Sequence, residues 1–179
     1  MAERFREPTS LLPLRWGSYP LRLVLALVLL FAGGLLMQAS SVYATSFLSI
    51  GALAHLGGWL ILPGKGWRRV AVSLPSLVGA AAPLIGSFGT LLLPLCLLGW
   101  LWVRERPARS YPVLVFPIIS AVVLWRLFPQ YGDGATVIAV SIAVLVASAW
   151  LAWAVAAGGR STPERRPSAS SSAGGETPR

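Results

Sequence analysis

His55 is the only histidine in this chain of 179 residues, and it sits near the middle of a predominantly apolar stretch, 42–62. An imidazole in such a place either carries a proton or a ligand, or closes hydrogen bonds to a neighbouring helix. The first role needs a partner of opposite charge at similar depth. No Asp, Glu or Lys falls inside any apolar stretch of the chain, so a buried relay of carboxylates is excluded. Helical spacing sets His55 beside Gly51, Ala52, Gly58 and Trp59. The expected role is a neutral ring bonded to a carbonyl or to a Ser or Thr hydroxyl on another helix, with ligand contact as the functional alternative.

Arg126 is the second candidate. Its neighbours Trp125 and Phe128 suggest a cation that snorkels to the membrane surface, with Asp133 as counter-ion; an anionic substrate or headgroup is the other partner for it. Ser87 is the third, in Gly86-Ser87-Phe88-Gly89. That group is not G-x-S-x-G, and no motif places a His or Asp to activate the hydroxyl, so it reads as a glycine-rich turn. Cys96 is the only cysteine, which excludes an intramolecular disulfide and any multi-cysteine metal site. There is no phosphate-binding loop, zinc motif or acidic metal pattern. The expectation is therefore no catalytic residue, no metal, no cofactor and no enzyme.

The elements that hold these residues are set by charge. Hydrophobic residues make up 55% of the chain and charged ones only 12%, with a mean hydropathy of +0.69. Soluble domains carry about 25% charged residues. The net charge is +9, yet the cations fall at the ends of apolar stretches rather than on a polar module, so anionic headgroups, not nucleic acid, are the expected partner. The clusters are Arg4, Arg6, Arg15 and Arg22; Lys65, Arg68 and Arg69; Arg104, Arg106 and Arg109; and Arg160, Arg165, Arg166 and Arg179. Only Arg126 stands apart. Cations collect on the cytoplasmic side of membrane proteins, so the clusters read as a topology map.

Residues 70–103 decide the map. As one helix these 34 residues would rise about 51 Å, far more than a hydrocarbon core of roughly 30 Å. Pro75, Pro83 and Pro94 also argue against one rod. A reversal at residues 86–89 brings both basic ends back to one side, as two short spans or as a re-entrant hairpin. The fold class is accordingly all-α: a polytopic integral membrane protein of six transmembrane segments, near 21–37, 42–62, 70–85, 89–103, 111–128 and 136–157, with both termini cytoplasmic. Residues 1–20 form an interfacial N-terminal segment with Trp16 and Tyr19 at headgroup depth. The first apolar run is longer than an ordinary signal core, so no cleavage is expected. Residues 158–179 are too polar to bury a core and are expected to be disordered.

Small residues mark packing faces: Gly51, Ala54 and Gly58 on the second segment, and Gly79, Ala82 and Gly86 on the third. Many such faces beside so few polar groups point to an accessory or scaffold subunit that packs with another membrane protein or with itself. The alternative is a transport component for a small or lipid-like molecule. In size and segment number alone the chain resembles the substrate-capture subunits of vitamin uptake transporters, without a shared motif. That resemblance implies an apolar substrate, with His55, Arg126, Ser87 and carbonyls freed by proline as its few polar contacts. The excess of Arg over Lys, with frequent Ala, Gly and Pro, fits a GC-rich bacterial genome and hence a bacterial plasma membrane.

Overall fold

The computed structural model describes Thr9 and residues 17–41, 43–128 and 133–158. Most of the N-terminal segment with Trp16, most of the link after Phe128 with Tyr131, and the tail beyond Gly158 lie outside these residues, as does the disorder expected of that tail. Among the described residues all regular structure is helical, with no strand. The helices are α1 (Tyr19–Gln38), α2 (Thr45–Ile61), α3 (Gly66–Ala81), α4 (Pro94–Val103), α5 (Val115–Leu127) and α6 (Gly134–Gly158). Short 3-10 segments, Ala82–Ile85 and Ser87–Leu92, join α3 to α4, and a third, Ala108–Leu114, leads into α5. Among the described residues, three helical stretches are long and apolar enough to cross a membrane: Tyr19–Gln38, Ala108–Leu127 and Gly134–Gly158.

Hydrocarbon is as apolar as leucine, so helices in a bilayer associate through close packing more than through water release. The chain achieves this with glycine. A Cβ on Gly33 would lie 2.6 Å from the carbonyl oxygen of Gly51 and from the amide nitrogen of His55. One on Gly51 would lie 2.7 Å from the Gly33 oxygen, and one on Gly58 2.9 Å from the Ala26 oxygen. These contacts pair α1 and α2 antiparallel, backbone against backbone. Large apolar side chains such as Val24, Leu53, Leu74 and Ile119 stay exposed on the outside of the bundle, as a lipid-facing surface requires.

The chain does turn back between α3 and α4. Gly86 has φ 111° and ψ −178°, a conformation essentially confined to glycine. At Gly89 a Cβ would run into the carbonyl of Ala82. Gly79 then meets Leu92 and Cys96, and Gly99 meets Val72, so α3 and α4 lie antiparallel. Gly86 makes the turn expected at residues 86–89. Gly51, Gly58, Gly79 and Ala82 are buried against other parts of the same chain, while Ala54 is half-buried.

Two apolar clusters hold the bundle. Ala26, Trp59, Leu62, Val72 and Val103 join α1, α2, α3 and α4. Leu97, Leu101, Val113 and Ala152 join α4, the 3-10 segment before α5, and α6. Trp100 packs against both. The outcome places α1 and α6 on either side of a floor built by α2, α3 and α4.

Candidate functional site

His55 is the meeting point of three helices. It is buried, with Nδ1 3.2 Å from the Leu30 carbonyl of α1 and Nε2 3.0 Å from the Ser76 hydroxyl of α3. The Trp59 indole also reaches Nε2, at 3.3 Å. An indole N–H can only donate, so Nε2 accepts, and Nδ1 carries the proton and donates to Leu30. The ring is neutral and its polar atoms are all engaged. Nothing in the sequence singled out Ser76, a serine among apolar residues of the third segment, as the partner.

Beside this junction, between α1 and α6, lies a cavity of about 330 Å³, near the lower end of the roughly 300–1,000 Å³ that small-ligand pockets occupy. Leu27, Phe31 and Leu35 line one wall, Ile142, Leu145 and Val146 the other, and Ala80, Leu97 and Trp100 the floor. His55, Ser76, Gln38, Cys96 and Ser141 are its polar members. Most of them are spent inside the protein. Gln38 donates to the Ala80 carbonyl at 2.7 Å, and the Cys96 thiol lies 3.4 Å from the Ser76 carbonyl. The cavity is thus an apolar cleft with few groups left for a polar ligand.

The other two sequence candidates lie elsewhere. Ser87 sits in the reversal, where its carbonyl accepts from the Thr90 hydroxyl. Arg126 is exposed on α5, its guanidinium 5.3 Å from the Trp125 ring. It forms no ion pair with Asp133; the expected counter-ion is replaced by the aromatic face and the surface. Phe88 and Trp125 meet edge to face at 5.4 Å, which brings the Ser87 turn and the Arg126 end of α5 to the same end of the bundle. Neither joins His55. No group of three or more metal-ligating side chains exists among the described residues.

The chain matches no protein-family model, no curated protein and no solved structure. Its chemistry therefore rests on its own geometry, and the opposite end supplies the remaining part. Helices α2, α4 and α6 all finish there, leaving carbonyls without helical donors. Arginines from the starts of other elements reach those carbonyls. Arg22 of α1 donates through Nε and Nη2 to Ile61 at 3.2 and 2.9 Å. Arg69 of α3 bonds Leu60 and Leu62, Arg68 bonds Trp102, and Arg109 bonds Ala156. Cations at helix C-termini also complement the macrodipole. Burial, with help from the nearby Arg106, pushes the Arg104 guanidinium down to about 10, still well above neutral pH, so it stays charged. It is hydrogen-bonded to the Tyr19 hydroxyl.

Glu105 closes this end. It takes a left-handed conformation, φ 52°, directly after α4. Its amide bonds the Trp102 carbonyl and the next amide bonds Leu101, a Schellman-type ending in which glycine is the usual residue. The side chain pairs with Lys65 at 2.8 Å and Arg68 at 3.4 Å. It clasps the α2–α3 connection to the end of α4.

Proposed function

We propose that the protein is a six-segment membrane protein with both termini on the cytoplasmic side, and that it holds an apolar or lipid-like small molecule in the cleft between α1 and α6, as a binding or transport component of a bacterial plasma membrane. The carrying observation is the cleft itself: about 330 Å³ of apolar space whose floor polar groups are largely bonded to one another. The faces that would favour an accessory subunit, around Gly51, Gly58 and Gly79, are occupied by the chain's own helices. The imidazole of His55 is committed to Leu30, Ser76 and Trp59, which supports a structural part for it in the wall of the cleft.

Two full crossings for α3 and α4 are supported by level. Gln38, the last residue of α1, bonds Ala80 near the end of α3, so the Gly86 reversal lies at or beyond the end of a membrane-length helix. The expected cytoplasmic end is the one where the described basic clusters gather.

The test is to purify the full chain in mild detergent, extract bound apolar molecules and identify them, and then screen lipids and hydrophobic vitamins by thermal shift. One chemical class should co-purify and raise the melting temperature. If nothing apolar is extracted and no compound shifts the protein, the reading fails.

A further inference from the structure

We infer that the cleft takes a single hydrocarbon chain of a membrane lipid, entering sideways between α1 and α6 from the leaflet at the Gln38 end; this rests on reading the cleft as a ligand site. Its length is the first argument. On α1 the lining runs from Leu27 to Gln38, and on α6 from Ile138 to Trp150, which at helical rise is about 17 Å. One leaflet contributes about half of a core of roughly 30 Å. The lining begins some way along α1 from Tyr19 and ends at its last residue, so it occupies the half of the bundle away from the arginine caps.

Width is the second argument. About 330 Å³ drawn out over a length of about 17 Å makes a slot much longer than it is wide. A transmembrane helix, about 10–12 Å in diameter, is too thick for it, and an extended alkyl chain is not. The mouth gives the direction of entry. Its exposed members, Phe31, Leu35, Val146 and Trp150, are apolar, so they border acyl chains rather than water. At the closed side His55, Trp59 and Ser76 bond each other and ask nothing of the occupant. A chain with no polar atoms satisfies this part of the lining.

Gly34 provides the means of testing it. It lines the cleft, and a Cβ added there meets nothing within 4 Å, so Gly34→Phe fills the cleft without a backbone clash. Gly57 is equally open but lies on α2 outside the cleft, and Gly57→Phe is the matched control. The full chain is placed in nanodiscs of phosphatidylcholine bearing a diazirine on one acyl chain, irradiated, and the adducts mapped by peptide mass spectrometry. Adducts on the buried floor around Trp59 and Leu97 are expected in the wild type and in Gly57→Phe and are expected to vanish in Gly34→Phe. Adducts on the outer face of α5, at Ile118 and Ile119, are expected in all three. Floor adducts absent from the wild type, or unchanged in Gly34→Phe, overturn the chain. If the floor stays clean but an apolar solute co-purifies with wild type and is lost from Gly34→Phe, the cleft remains a ligand site for another molecule. If no solute is found either, both readings fall.

Discussion

Trp59 donates its indole N–H to Nε2 of His55 across one turn of α2, at 3.3 Å. That bond decides the tautomer of the histidine, and with it the direction of the Leu30 and Ser76 bonds that tie three helices together. A titratable residue in the middle of an apolar helix is thereby held as a junction between three helices.

Truncating the junction should show its weight. His55→Ala leaves the Trp59 N–H and the Ser76 hydroxyl buried without their acceptor, at about 1–3 kcal/mol for each unsatisfied group. Ser76→Ala removes one donor and leaves the imidazole its Leu30 and Trp59 bonds, so it should cost about 0.5–1.5 kcal/mol. Thermal unfolding in detergent, followed by tryptophan fluorescence, should rank wild type above Ser76→Ala and Ser76→Ala above His55→Ala. Equal stability of His55→Ala and wild type would remove the junction from the argument.

Neighbouring glycines on α1 should behave in opposite ways. Gly33→Ala drives a methyl into the backbone of α2, and overpacking of this kind costs about 1–3 kcal/mol. Gly34→Ala meets open space and should stabilise the helix by up to about 1 kcal/mol through backbone propensity. The melting temperatures of the two variants should fall on opposite sides of the parent.

At the reversal, Gly86→Ala forces a side chain into a region that only glycine occupies readily, at about 1–3 kcal/mol. Gly89→Ala meets the Ala82 carbonyl instead. Both should lower the yield of monodisperse protein on size-exclusion chromatography, and Thr90→Ser, which keeps the hydroxyl bonded to Ser87, should not.

Glu105 offers a test of strain against charge. Glu105→Ala keeps the left-handed backbone and loses the pairs to Lys65 and Arg68. Glu105→Gly loses the same pairs but relaxes the backbone, which should leave it about 1 kcal/mol more stable than the alanine variant. The ion pairs, partly exposed, should account for no more than about 1 kcal/mol. Chemical or thermal denaturation of the two variants side by side reads the difference directly.

Reporter fusions test the threading. Fusions after Gly64, Arg109 and Gly159 should report the cytoplasm, and fusions after Gly89 and Gly132 the opposite side. An extracytoplasmic signal after Arg109 would break the six-segment proposal.

Much of the helix layout was legible because charge and proline act locally. The basic clusters mark where apolar runs end, and the excess length of 70–103 forces a reversal that Gly86 and Gly89 then make. The position of His55 was legible for the same reason. Its partners were not, because Leu30 and Ser76 belong to other helices and carry no signal of their own. Gly33 and Gly99 escaped notice although they form close contacts, since a glycine in an apolar run looks the same whether it faces lipid or another backbone. The cleft was the least legible feature. Its walls are more than a hundred residues apart in the chain, and only the packing of α3 and α4 beneath them sets its width.

The arginine caps have a consequence for how the finished protein can move. Arg22, Arg68, Arg69 and Arg109 each hold the end of a helix other than their own. Once formed, the bonds of Arg22, Arg68 and Arg109 lock the two arms of a hairpin together at one rim, and that of Arg69 ties α3 to the end of α2, so no helix there can slide without stripping its neighbour's last carbonyls. At the rim around Gly86 the corresponding tie is the single amide of Gln38, which bonds Ala80 of α3. Any breathing of the bundle should therefore pivot on the arginine rim and widen toward the other, the half in which the cleft between α1 and α6 lies.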